Sequence, residues 1–282
     1  MNQAIVLKNI CKKYEGFSLQ NLSFSQPKGT IMGFIGENGA GKTTTIKLML
    51  NLIHRDQGDL WILGQDPRGD FIEVKESLGV VMDEIGFPEN LTATNLNTMM
   101  KQIYRSWDEN IFDQYLLKFQ LPGQKTIKTF SKGMKMKLSL AVALSHHAKL
   151  LILDEATSGL DPIVREEIID FLLEFIQDED NSVFMSSHIV TDLEKVCDQI
   201  AFIHRGKLVF CESKETLREQ YGILRCDPKQ LCDIPSEIIC GQRHYSLGSE
   251  TLIRKDRYHG DLRVDPASLE EIMIFTAKEP KE

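Results

Sequence analysis

Ten residues, GENGAGKTTT at Gly36 to Thr45, constrain this chain more than any other stretch. They follow an apolar run, Ile31-Met32-Gly33-Phe34-Ile35, that reads as a buried strand. Within them, Gly36-x-x-x-x-Gly41-Lys42-Thr43 is the P-loop pattern. The glycines Gly36, Gly39 and Gly41, with Asn38 and Ala40 between them, let backbone N–H groups turn inward around phosphate oxygens, where a Cβ would clash. The helix expected from Lys42 to about Leu52 aims its N-terminus at those phosphates. Lys42 is then expected to reach the β- and γ-phosphates of a nucleotide, the Thr43 hydroxyl to hold Mg²⁺, and Thr44 to add a phosphate contact. A buried strand, such a loop and a helix in this order call for an α/β fold.

Kinases, GTPases and many ATPases share such a loop, so the second half of the chain decides among them. Lys149-Leu150-Leu151-Ile152-Leu153-Asp154-Glu155 reads as a buried strand ending in two carboxylates. Asp154 at the strand end suits Mg²⁺, directly or through water. Glu155 is placed to orient or deprotonate an attacking water. There is no Asn-Lys-x-Asp motif for reading a guanine base.

Further motifs follow in a fixed order. "FSKGMKMK" spans Phe130 to Lys137, "SGLDP" Ser158 to Pro162, and "FMSSH" Phe184 to His188 at the end of a strand. Tyr14 follows a first strand, Ala4 to Ile10. With these the chain resembles an ATP-binding cassette (ABC) ATPase from Ala4 to about Leu217. The resemblance implies a P-loop NTPase core with an antiparallel β-subdomain and an inserted α-helical subdomain. It implies that Tyr14 stacks on adenine, and that two cassettes close head to tail on two ATP molecules. Ser131 and the Gly133 backbone would then meet the γ-phosphate held by the other cassette. Asp161 would cross the interface to couple the sites. His188 would contact the γ-phosphate and position the water with Glu155. Taken alone, Tyr14 is a strand-end aromatic, His188 a strand-end histidine, and Ser131 an N-cap for a helix from Lys132 to Ser145.

Two motifs depart from the family pattern. The signature Leu-Ser-Gly-Gly-Gln here reads Phe-Ser-Lys-Gly-Met, so Lys132 stands for a glycine and Met134 for the glutamine. In "LGVVMDEIGF" (Leu78 to Phe87), Asp83 falls where the family's Q-loop glutamine stands. A carboxylate there can act on Mg²⁺ or water but is no amide donor. The departures bear on hydrolysis rate and symmetry, and they leave homodimer and heterodimer both open.

The chain has 282 residues and a net charge of −8, which argues against a nucleic-acid partner. No apolar stretch approaches the ~18 residues of a membrane span, and Met1 to Ile5 carries no signal-type sequence. The expectation is a cytoplasmic ATPase subunit, peripheral on the inner face of the membrane, working with separate transmembrane permease subunits. The short helical insertion and the Ser-Lys-Gly-Met signature are most similar to bacterial exporters. The alternatives are a soluble ABC protein acting on ribosomes or nucleic acid, and a regulatory subunit that hydrolyses ATP poorly. The first usually carries two cassettes or a long coiled-coil insertion, and neither is seen here.

The ATP-binding domain is expected over 1–218, with its helical subdomain at about 88–145, and a small α+β appendage over 219–282. "QIAFIHRGKLVFCES" reads as a hairpin turning at Arg205-Gly206. In the appendage, Tyr221 to Cys226, Glu237 to Cys240 and Thr251 to Lys255 read as strands. Asp265-Pro266 reads as the cap and first turn of a helix running to about Phe275. Cys226, Cys232, Cys240 and His244 lie close in sequence, but their spacing matches no zinc pattern, so scattered reduced thiols are expected.

Overall fold

Two five-residue strands, β3 (Ile31–Ile35) and β6 (Leu150–Asp154), are buried along their whole length. Such runs suit a parallel sheet covered on both faces. The computed structural model describes residues 2–69, 71–83, 86–231, 234–245 and 248–277. In it, β3 and β6 lie in a sheet with β5 (Leu78–Val81), β7 (Ser182–Ser187), β8 (Gln199–His204) and β9 (Lys207–Ser213), in the order β5-β6-β7-β3-β8-β9. The pairs β5–β6, β6–β7, β7–β3 and β3–β8 are parallel. A second, antiparallel sheet joins β1 (Gln3–Tyr14), β2 (Phe17–Pro27) and β4 (Gln57–Ile62) in the order β2-β1-β4. Phe24, Phe34 and Phe184, from β2, β3 and β7, pack with ring centroids 5.4–6.0 Å apart. Nearby, the fully buried Gln26 amide donates to the carbonyls of Thr30 and Val183, both at 2.9 Å.

The helices start where side chains can satisfy their free N–H groups. After α1 (Lys42–Met49) and the short α2 (Ile72–Glu76) come α3 (Ala93–Ile103), α4 (Glu109–Lys118) and α5 (Lys132–Leu144). Thr92, Asp108 and Ser131 cap the last three in turn, Thr92 through a capping box with Asn95. α6 (Pro162–Phe175) has Asp161 as its cap and proline at its first position, and α7 (Val190–Val196) follows β7. The sequence reading had no helix at α2 and ran α1 on to about Leu52.

Contacts divide the chain into Met1–Leu208 and Val209–Glu282. The division falls within β9, upstream of the 218/219 boundary read from the sequence. The second unit holds α8 (Lys214–Gln220), β10 (Tyr221–Cys226), α9 (Pro228–Leu231), β11 (Ile239–Tyr245), β12 (Gly248–Arg254), β13 (Val264–Pro266) and α10 (Leu269–Thr276). Its antiparallel sheet has the order β11-β12-β10-β13.

Two expectations for this unit are corrected. Asp265 and Pro266 do not open a helix; they end the edge strand β13, which pairs with Gly222 to Leu224. The Asp265 carboxylate accepts from Arg225 at 2.8 Å, and proline is tolerated at a sheet edge. The helix starts later, at a capping box formed by Ser268 and Glu271. Glu237 is likewise not in a strand, because Ser236–Ile238 form a 3-10 turn after Pro235 and the strand begins at Ile239. Among the described residues no group of three or more His, Cys, Asp or Glu is arranged to hold a metal ion, and Cys232 lies outside them. Burial pushes the Cys226 and Cys240 thiols up from their usual value.

Candidate active site

The parallel strands end on one side of the sheet, and the chemistry-bearing residues of β3, β6 and β7 are brought together there. The loop after β3 turns at Gly39 (φ 82°) and Gly41 (φ 114°), conformations that side chains rarely adopt. A Cβ on Gly36 would lie 2.5 Å from the Ile203 carbonyl oxygen. The loop is also held from outside. Arg205 and Gly206 make the β8–β9 turn with φ of 47° and 77°. The Gly206 N–H donates to the Ala40 carbonyl at 3.0 Å, and its own carbonyl accepts from Gln20 N–H at 2.8 Å.

Lys42, at the first position of α1, is 6% exposed. Its ammonium donates to the Gly36 carbonyl at 2.7 Å and lies 3.1 Å from Glu155 Oε1. The other Glu155 oxygen is 2.6 Å from His188 Nδ1. Lys42, Glu155 and His188 therefore form one polar chain across the ends of three elements. Glu155 has φ 54°, an uncommon conformation for a non-glycine residue and one found often at functional sites.

Asp154 sits beside this chain and is 3% exposed. Thr43 Oγ1 donates to its Oδ2 at 3.0 Å, and Ser186 Oγ donates to its Oδ1 at 2.6 Å. The same Ser186 hydroxyl accepts from the Glu155 N–H at 3.1 Å. Ser186 thus ties the two carboxylate residues together. It lies inside the "FMSSH" stretch, but its partners are 31 and 32 residues away in sequence, so spacing gave it no role.

A cavity of about 710 Å³ opens over these groups. Asn38, Gly39, Gly41, Lys42, Thr43, Thr44, Asp83, Glu155 and His188 line it, together with Glu37, Phe17, Gly16 and Ser158, which the sequence reading left out. Gly36 and Ala40 support the loop from behind, and Ala40 is buried. Tyr14, 43% exposed, lines a neighbouring cavity of about 480 Å³ that shares Gly16, Phe17, Glu37, Asn38 and Gly39 with the first. Phe17 follows Tyr14 directly across the β1–β2 turn, which is the sequence signal for it. Ser131, Gly133 and Asp161 do not line either cavity. Ser131 Oγ accepts from Met134 N–H at 3.2 Å, and Asp161 caps α6 through bonds of 3.1 Å to Ile163 and Val164. Gly133 packs on Val164, where a Cβ would come within 3.0 Å. Ser131 at α5 and Asp161 at α6 are exposed and therefore lie on a separate surface, with Gly133 buried beside Val164 of α6.

The donor set fits the groups expected from the sequence. Inward-turning glycines, a buried ammonium and a helix N-terminus suit phosphate oxygens. The paired oxygens of Thr43 and Asp154 suit Mg²⁺, which takes few protein ligands and keeps waters and substrate phosphates.

A family model described as ABC transporter matches residues 19–158. The chain is 37% identical over 236 residues to the bacitracin transport ATP-binding protein BcrA of Bacillus licheniformis, a match spanning 82% of this chain and 75% of that protein. It is 32% identical over 223 residues to the lantibiotic transport ATP-binding protein SrtF of Streptococcus pyogenes, spanning 77% of this chain and 95% of that protein. The chain belongs to the ABC transporter ATPase family.

Its architecture is that of the P-loop NTPase fold, with mixed sheets and helices. A solved structure described as the ATP binding subunit of an ABC transporter superposes with a TM-score of 0.70 at 24% identity, covering 77% of this chain and 92% of that one. This ABC ATPase binds nucleotide, hydrolyses ATP and powers a membrane transporter, so membrane permeases are its partners. Among its own described residues, no helix is long and apolar enough to cross a membrane.

Proposed function

We propose that this ABC ATPase drives an exporter of peptide antibiotics, using Mg²⁺ and ATP at the site around Lys42. The observation that carries the reading is the chain Lys42–Glu155–His188, with 3.1 and 2.6 Å contacts, beside the Thr43–Asp154 pair. Lys42 neutralises phosphate charge, and Tyr14, at the mouth of the neighbouring cavity, stacks on adenine. Thr43 and Asp154 hold the divalent ion, with Asp83 as a further oxygen donor; when bound, the ion neutralises charge on the phosphate oxygens. Glu155 accepts the proton of the attacking water, and His188 fixes the free rotation of that carboxylate through Nδ1.

The surface carrying Ser131, Gly133 and Asp161 serves a second cassette, the same chain or a related one, whose nucleotide it completes. In this reading residues 1–218 form the ATP-binding domain, about 88–145 its helical subdomain, and 219–282 an accessory region. The protein lies peripherally on the inner face of the cell membrane, on separate permease subunits. The substrate class rests on relatives whose names specify bacitracin and lantibiotic transport. The test is to express the chain with a candidate permease in a bacitracin-sensitive host. Resistance that disappears with Glu155→Gln supports the reading; unchanged sensitivity together with no co-purification of chain and permease contradicts it.

A further inference from the structure

Two of the positions that depart from the family pattern, Asp83 and Lys132, meet in space. Lys132 Nζ lies 3.3 Å from Asp83 Oδ1, although the residues are 49 apart in sequence. Asp83 lines the cavity that holds Lys42, Thr43 and Glu155. Lys132 is the first residue of α5, directly after its cap Ser131. Its ammonium also reaches Gly159, where a Cβ would stand 3.2 Å from Nζ. From the start of α5, this one ammonium thus pairs with the loop after β5 and lies beside the loop between β6 and α6.

A cation at a helix N-terminus is unfavourable by itself, because the helix end already carries partial positive charge. Asp83 offsets that charge. Both side chains are about half exposed, at 49% and 52%, so the pair is weak and easily exchanged. A weak pair is the kind that a divalent cation can break when it arrives beside the carboxylate.

We propose that Asp83 and Lys132 form an exchangeable ion-pair strap between the nucleotide cavity and the start of α5. The divalent cation that comes with the nucleotide competes with Lys132 for the Asp83 carboxylate. Loading the cavity then releases a positive charge at Ser131 and Gly133, on the surface assigned above to a second cassette. Lys132 is here a positioning residue that reports the state of its own cleft. The proposal rests on the nucleotide reading of the cavity.

The experiment is a double-mutant cycle on the full chain by calorimetry, with ADP as the probe so that neither hydrolysis nor ATP-trapped pairing intervenes. Affinity is measured for ADP with Mg²⁺ and for ADP in chelator, and the ratio of the two is the readout. The chelator arm removes any general effect of charge on ADP binding. Lys132→Met is expected to raise that ratio roughly two- to five-fold, the range open to an exposed ion pair. Lys132→Gln is expected to do the same, as a second substitution that keeps polarity. In an Asp83→Asn background neither should change the ratio. A ratio that Lys132→Met leaves unchanged, or changes equally in both backgrounds, overturns the strap while leaving nucleotide binding intact. Failure of the unmodified chain to bind ADP at all overturns the nucleotide reading itself, and the strap with it.

Discussion

Removing the Ser186 hydroxyl should damage the site without touching any group that meets the nucleotide. Ser186 is fully buried, and its hydroxyl donates to Asp154 at 2.6 Å while accepting from the Glu155 N–H at 3.1 Å. The Glu155 N–H keeps a second acceptor, the Ser186 carbonyl at 3.2 Å, so the loss in Ser186→Ala falls mainly on the Asp154 carboxylate. A hydrogen bond to a charged group contributes about 1.5–3 kcal/mol. At about 2–4 °C per kcal/mol for a chain of this size, the melting temperature should fall by about 3–12 °C. Ser187→Ala is the control. Ser187 is equally buried, but its hydroxyl accepts a neutral Ile189 N–H at 2.9 Å and no charged partner among the described residues, so it should cost about 0.5–1.5 kcal/mol. If the orientation of Asp154 and Glu155 is realised in the transition state, the same loss lowers kcat by about 10- to 100-fold. KM should change much less, because Lys42 is untouched. Scanning calorimetry and steady-state ATP hydrolysis measure the two effects. A Ser186→Ala protein no less stable than Ser187→Ala, with normal turnover, would refute the argument.

Three other predictions follow from single contacts. Lys42→Ala should abolish measurable nucleotide binding in calorimetry, because it deletes the buried ammonium 2.7 Å from the Gly36 carbonyl. Gly206→Ala forces a side chain onto a residue at φ 77° and against the Ser18 carbonyl, so it should destabilise by about 1–3 kcal/mol in urea titrations and weaken nucleotide binding through the Ala40 contact. His146 is 1% exposed and stacked on Tyr104 with ring centroids 4.0 Å apart, and burial lowers its pKa from 6.5. The unfolded chain then binds the proton more readily, so the contribution of neutral His146 is full above pH 6.5 and lost as pH falls below it; His146→Phe should flatten this part of the urea-midpoint profile between neutral and mildly acid pH.

Much of the core was legible because its chemistry is local in sequence. A glycine loop followed by lysine and threonine must follow a strand and open a helix, and an apolar strand ending in Asp154 and Glu155 needs no distant partner to be read. The hairpin at Arg205-Gly206 was equally clear, since its turn residues announce it. What escaped the sequence depends on contacts between remote segments. Ser186 gains its role only when β6 and β7 pair in register, with Asp154 opposite Ser186. The meeting of Asp83 and Lys132 needs the loop after β5 to reach the start of α5. In the second unit, Asp265-Pro266 carried a helix-start signal, but Ser268 and Glu271 carried another three residues on. Pairing with β10 and the ion pair to Arg225 decided between them.

The central claim is that Glu155 is the base of an ATP-hydrolysing site built on Lys42, Asp154 and His188. Comparing ATP binding with ATP turnover in Glu155→Gln tests it most directly. The substitution keeps the size of the side chain and an oxygen facing His188, but it removes the group that accepts the proton. ATP affinity by calorimetry should stay close to that of the unmodified chain, since Thr43 and Asp154 are intact. Turnover should fall by about 10²–10⁴-fold, the contribution of a positioned acid–base group. Turnover that remains close to that of the unmodified chain, at unchanged ATP affinity, would contradict the account.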